Sequence, residues 1–290
     1  MMTPSRLTAR AGVYAISALA VALFGFPFYW MVASSLRPLS RLYAWPIHLW
    51  VRHPTLSNYV TVITGHYTGM ITQVQVSFSQ SMLNSAIIAL SHTVLTIGIC
   101  SLAGFSFAKL RFSGKNVLFV FMLATVMIPG AVGLVPSYVI MSWFHWLNTW
   151  WPLIIPGIAP PVGIFWMRQY MSTLPDEIFD AARIDGAGDL TIFWRIAFPL
   201  ARPAAGALAI FVFLGAWNNF IGPLIYLSSE RLFTFPVVLA LLDGESTGHG
   251  TPVNLILAGS VLSVIPIVAV FVFMQKQFIS GLTLGAISIR

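Results

Sequence analysis

Apolar residues fall in long unbroken runs, and polar ones collect between them. Six runs approach the roughly 20 residues that a helix needs to cross about 30 Å of hydrocarbon: about 12–34, 84–108, 117–140, 151–167, 204–227 and 253–274. This spacing predicts an all-α integral membrane protein with six transmembrane helices, organised as one domain over residues 1–290. The first run extends from Ala11 to Leu36. It is longer than the roughly 7–15-residue core of a secretory signal and lacks a small-residue cleavage site, so it reads as an uncleaved span.

Two of the runs carry proline. The fourth, WPLIIPGIAPPVGIFWM, holds Pro152, Pro156, Pro160 and Pro161. Proline removes a donor and clashes with the preceding turn, so this span must be kinked and packed among neighbours that satisfy its freed carbonyls. A short broken span of this kind serves either packing or a transport path. The third run has a milder form in MIPGAVGLVPSY, with Pro129 and Pro136.

Between the runs lie two sizeable polar regions, residues 35–83 and 168–203. Six spans put both termini on one side. With that side cytoplasmic, inner segments hold Arg6, Arg10, Lys109, Arg111, Lys115, Arg168, Arg183, Arg195, Arg202, Lys276 and Arg290, against Arg37, Arg41, Arg52 and Arg231 outside. That asymmetry follows the positive-inside rule. The net charge of +7 therefore reads as topology, and the basic residues are too scattered to form a nucleic-acid surface.

The scarcity of charge narrows the function. Only 8% of residues are charged and 58% are hydrophobic, against roughly 25% charged in soluble domains. All eight carboxylates lie at or beyond Asp176, none inside a predicted span. An ion-coupled carrier commonly needs intramembrane ionisable groups, and a membrane metalloenzyme needs clustered ligands. Neither set can be assembled here, so the secondary carrier and the membrane enzyme are the rival readings, and no metal site is expected. Cys100, the single cysteine, sits in an apolar run and excludes an intramolecular disulfide. FSGKN at Phe112–Asn116 lacks the upstream glycine and the following Ser or Thr of a phosphate-binding loop. If this chain does work, a partner supplies the energy.

Five of the eight carboxylates crowd into DEIFDAARIDGAGDLTIFWRIAFPLARP, Asp176–Pro203. Pro175 and the acids Asp176 and Glu177 suit a helix start. Ile178, Ala181, Ala182 and Asp185 then fall at helical spacing, and the Ala-Ala pair leaves one side low enough for another protein to approach. Gly186 offers a C-cap, Asp189 an N-cap for a second helix, LTIFWRIAF, and Pro199 a stop. Two short helices joined at glycine are expected along the inner membrane surface.

Here the chain resembles a family. Asp180-Ala181-Ala182, then Gly186, then Ile196 and Phe198-Pro199 are similar to the E-A-A, G, I-x-L-P signature of ABC importer permeases, with Asp180 in place of Glu and Phe198 in place of Leu. Further segments resemble the carbohydrate-uptake branch, in which the maltose permease pair is familiar. They are TLSNY (Thr55–Tyr59), MLNS (Met82–Ser85), SFAKLRFSGKN (Ser106–Asn116), GAWNNFIGPLIYL and the terminal QFISGLTLGAISIR. The resemblance implies the type I importer permease fold in a prokaryotic inner membrane, with a cytoplasmic coupling helix. It also implies that Asp180, Ala181, Ala182, Asp185, Gly186, Ile196 and Pro199 dock an ATP-binding subunit. The expected partners are a homologous second permease, two ATP-binding subunits that hold ATP and Mg, and an extracytoplasmic solute-binding protein. This chain would bind no cofactor and catalyse nothing. The tail GLTLGAISIR is expected, by resemblance, to reach towards the ATPase.

For the substrate path, Trp217, Asn218 and Asn219 lie near the middle of the fifth run, and His92 is the one histidine inside a span. Buried amides need partners, and an aromatic ring beside amides also suits a sugar, so these residues either line a cavity or bond between helices. On the outer side, Arg37, Arg41 and Arg52 with His48, His53 and His66 meet no carboxylate between residues 35 and 83. Such a mouth can attract an anionic saccharide or an acidic binding protein, or simply be solvated.

Overall fold

The computed structural model describes residues 4–43, 45–46, 48–64, 78–244 and 253–287, with side chains from 12 to 242 and from 253 to 275 of these. Every regular element among them is helical. Among the described residues three helical stretches are long and apolar enough to cross a bilayer unaided: Gly12–Ser35, Phe78–Lys109 and Val253–Gln275. Two bent pairs bring the number to five if each crosses as a unit. Lys115–Met127 meets Gly130–Trp143 at 91°, and Asp189–Leu200 meets Arg202–Trp217 at 77°.

Proline explains where the third and fourth predicted runs and the observed helices part. Within the third run, Ile128 takes an extended backbone (φ −81°, ψ 116°) ahead of Pro129, the conformation a residue before proline prefers. The fourth run is not one helix. It divides into Trp151–Ile154 and Pro161–Ser172, with Pro152 and Pro161 in first turns, where their missing donors cost nothing, and Gly157 at φ 82° between them. The longer piece has 12 residues, too few to cross by itself. The fifth run stops at Trp217 and resumes as Ile221–Tyr226.

By contact density the chain forms two compact units, Met1–Ser79 with Val238–Ile265, and Gln80–Val237 with Pro266–Arg290. In the first, the TLSNY motif is a structural tie. Buried Asn58 donates through Nδ2 to Ser35 O at 2.7 Å and Arg37 O at 2.8 Å, and its Oδ1 accepts from Asn254 Nδ2 at 2.7 Å. One amide thus satisfies two carbonyls, one at the end of the first long helix and one just past it, and one polar side chain on the last, a closed network in surroundings where an unpaired group is costly. Along Gly12–Ser35 no residue of the most apolar stretch is buried within the protein, as suits a helix that faces lipid.

In the second unit the Phe78–Lys109 helix packs on Pro161–Ser172 through glycine. A Cβ on Gly104 would lie 2.6 Å from Met167 Cβ and 2.9 Å from Arg168 N, so only hydrogen fits there. Gly163 meets Cys100 Sγ in the same way, at 2.9 Å. Small residues at the crossing let the two backbones approach. Below this crossing, Phe105, Met167, Met171, Phe179, Ile192 and Phe193 build the largest described core.

Candidate functional site: the Asp176–Leu200 segment and the His92 cavity

Asp176–Ile184 is an exposed helix with one side chain driven into the core. Phe179 is 1% exposed and lies against Phe105, ring centroids 6.2 Å apart, which in turn meets Phe193 at 5.7 Å. The opposite face stays open at Ile178, Asp180, Ala181, Asp185 and Gly186, whereas Ala182, expected there with Ala181, is half-buried against the core on the side of Phe179. Ile184, at 87% exposure, and Leu190, at 70%, add bare apolar surface beside them. An apolar rim on an otherwise charged helix marks a contact surface.

The turn after this helix is closed by a paired hydrogen-bond motif. Ala187 N–H donates to Ala182 O at 2.9 Å and Gly186 N–H to Arg183 O at 3.0 Å, with Gly186 at φ 82°. This is the Schellman arrangement, which favours glycine at its left-handed position. No heavy atom lies within 4 Å of where a Gly186 Cβ would be. Glycine is therefore required by the backbone and not by crowding.

Lys109, at the end of the Phe78–Lys109 helix, pins the segment from beneath. Its ammonium donates to Leu174 O and to Asp176 Oδ1, both at 2.6 Å, and sits 4.9 Å from the centre of the Phe179 ring. The Lys109 hydrogen bond, reinforced by its charge, holds the Asp176 carboxyl below the usual carboxylate range. Arg183 adds a second tie, donating to Asp180 Oδ1 at 3.0 Å and to Lys109 O at 3.2 Å.

Two local expectations are corrected. Asp189 does not cap the second helix: Gly188 is the N-cap, and Asp189 is the first helical residue, with no side-chain capping bond and Arg183 Nε 3.9 Å away. Nor does the helix end before Pro199. It widens into a π-turn over Phe193–Ala197 and runs through Pro199 to Leu200. The wider turn gives the proline ring room that an α-turn lacks. Ile196 and Pro199 are half-buried within this stretch, Ile196 packed against the core that holds Phe179.

Of the residues expected near a substrate, His92 and Asn219 come together and Trp217 and Asn218 do not join them. A cavity of about 230 Å³ is lined by Ser85, His92, Asn219, Tyr226 and Thr234 among others. His92 Nδ1 is 2.8 Å from Ile154 O, which leaves Nε2 for other partners. Asn219 Oδ1 accepts from Gly222 N at 3.1 Å. Trp217 instead is buried, stacked on Phe213 at 5.7 Å beside Ala89. Asn218 is the exposed C-cap of its helix, donating to Leu214 O at 2.9 Å.

Several contributors escaped the sequence. Phe179 and Lys109 carried a signal, since Phe179 faces away from Ala181 on a helical wheel, but their meeting is tertiary. Ser85 and Tyr226 fell in segments that resemble the family but carried no sign of a cavity role, and Thr234 carried no signal. The side chains of the tail Gly281–Arg290 lie outside the described residues.

Residues 97–284 match the family described as "Binding-protein-dependent transport system inner membrane component". The chain belongs to this family. It is 35% identical over 267 residues to the arabinooligosaccharides transport system permease protein AraQ of Bacillus subtilis (strain 168), covering 91% of each chain. Against the trehalose/maltose transport system permease protein MalG of Thermococcus litoralis, identity is 33%, covering 90% of this chain and 91% of that one. Its fold matches a chain of a bacterial ABC transporter involved in import of the acidic polysaccharide alginate, with TM-score 0.77 and 21% identity over 96% of this chain and 99% of that one. A second match, with TM-score 0.62 and 12% identity over 93% and 94% of the two chains, is from an alginate transporter in complex with its alginate pentasaccharide-bound periplasmic protein. The permease is thus an inner-membrane transport subunit with the importer fold.

Proposed function

We propose that this permease forms half of the translocation path of an ATP-driven oligosaccharide importer and is moved by an ATPase docked on Asp176–Leu200. The observation that carries the docking is Phe179: it sinks an exposed, cap-closed helix into the core that also holds Phe105 and Met167 of the membrane helices. A push on the exposed face of Ala181, Asp185 and Gly186 therefore reaches the spans as a rigid displacement. Alternating access needs this and no covalent step.

A homologous second permease completes the path, two ATP-binding subunits hold and hydrolyse ATP with Mg, and an extracytoplasmic solute-binding protein delivers the sugar. Both termini lie in the cytoplasm, and this chain binds no cofactor of its own. Relatives named for arabinooligosaccharide and trehalose/maltose transport support an oligosaccharide cargo. Within this chain, His92 and Asn219 offer the cavity through which sugar hydroxyls can pair. The deciding experiment is Gly186→Trp, which places a bulky group on the docking face. The membrane complex should assemble, and sugar-stimulated ATP hydrolysis should fall to the basal rate. Full stimulation in this variant would end the docking assignment.

A further inference from the structure

The segment after the first long helix folds over a cationic pocket. Arg37, Arg41, His48, Trp50, Arg52 and His53 line about 290 Å³, at the lower edge of the roughly 300–1,000 Å³ typical of small-molecule sites. Arg37 is 7% exposed, and its guanidinium is held rigidly. It donates to His48 O and, at 3.3 Å, to Leu49 O, and stands 5.3 Å from the centre of the Trp30 ring. All of these contacts are to neutral groups. They fix the charge without cancelling it.

Among the described residues no ion pair satisfies the other two guanidiniums either. Among the described residues the salt bridges all belong to Lys109 and Arg183, and no Asp or Glu precedes Asp176 in the chain. Three like charges around one concavity repel each other, and that repulsion is relieved when an anion enters. Guanidinium matches a carboxylate with two parallel hydrogen bonds, which selects planar oxyanions over chloride. Trp50, 79% exposed beside them, supplies an apolar face of the kind on which a sugar ring stacks.

We infer that this pocket is an acceptor site for a carboxylate-bearing saccharide, a uronate oligomer, with Arg41 and Arg52 on the carboxylates and Trp50 under a sugar ring. The inference rests on the importer reading, which places residues 35–83 at the outer mouth, and it specifies the class of cargo. The pocket is concave and sized for one sugar unit, which favours a saccharide over the broad face of an acidic protein.

The test is direct binding of fluorescently labelled tri-galacturonate to the assembled membrane complex in nanodiscs, with maltotriose as a neutral competitor. Arg37 is left intact because it is structural. Arg41→Gln with Arg52→Gln should weaken uronate binding tenfold or more, and Trp50→Ala should weaken it several-fold. Raised salt should weaken binding to the native complex, maltotriose should not compete, and basal ATP hydrolysis should be unchanged. Equal binding by the double variant, or equal displacement by maltotriose, overturns the inference. So does a double variant that loses affinity for the solute-binding protein while keeping uronate. Sugar-stimulated ATP hydrolysis in the same samples separates the two readings. If maltotriose delivered by its binding protein stimulates turnover while uronate never binds, the importer stands and only this site falls.

Discussion

Lys109 Nζ lies 2.6 Å from Asp176 Oδ1, a nearly buried cation (4% side-chain exposure) reaching out to an open carboxylate (78%). The exposed half of such a pair is worth little in water, so the value of Lys109 lies in its three simultaneous partners: Asp176, Leu174 O and the Phe179 ring. Lys109→Met should uncouple transport, cutting sugar-stimulated ATP hydrolysis at least tenfold while the complex still assembles. Asp176→Asn should have a smaller effect, because the carbonyl and ring contacts survive it. Stimulated and basal ATP hydrolysis, measured side by side in proteoliposomes, distinguish the two.

The same pair sets a pH expectation. Asp176 is held below its unfolded value by the Lys109 hydrogen bond. Its contribution is therefore complete above the unfolded carboxylate pKa of about 3.9 and is lost as pH falls through the depressed folded value. The melting temperatures of the native and Asp176→Asn proteins should differ by a constant amount from about pH 5 to pH 8. They should converge only in more acidic buffer. Convergence near neutral pH would contradict the assignment.

Phe179→Ala should be the most damaging single change in Asp176–Leu200. Removing a buried aromatic side chain costs about 3–5 kcal/mol, and here the loss falls on the joint between the exposed helix and the spans. Phe179→Leu should retain most of the stimulation. Hydrogen exchange over residues 176–187 would show the Ala variant opening while the long helices stay protected.

Gly104→Ala tests the close helix crossing. Its new methyl would meet Met167 Cβ at 2.6 Å and backbone at 2.9 Å, so the helices must separate, at about 1–3 kcal/mol for overpacking. Gly186→Ala should cost about 1 kcal/mol for a different reason, its left-handed φ in open space. Thermal unfolding in detergent should show both losses, and Gly186→Asn should recover part of the second.

Asn58→Ala strands two carbonyls and the Asn254 amide. At about 1–3 kcal/mol per unsatisfied buried group, the protein should express at a reduced level and melt well below the native form. Trp217→Ala should likewise reduce stability without changing sugar preference, since Trp217 lies in a packed cluster. His92→Ala and Asn219→Ala should instead alter transport with little change in melting.

Much of the architecture was readable in one dimension because lipid imposes a one-dimensional rule: a crossing helix must be long and apolar, and its interruptions must be glycine, proline or charge. That rule located the long helices and the exposed Asp176–Pro203 stretch, and the spacing from Asp180 to Gly186 marked the capped turn. Hydrophobicity alone could not divide the fourth run, because its apolar count ignores the hydrogen bonds that four prolines remove. Nor could it show a π-turn carrying a helix through Pro199. Only the tertiary structure decided that Trp217 packs while Asn219 lines a cavity, that Lys109 and Phe179 tie Asp176–Ile184 to Phe78–Lys109, and that Arg37, Arg41 and Arg52 share one pocket. The reason is physical: segregation from water acts on each segment by itself, whereas a side chain's role depends on partners that the chain brings near from far along its length.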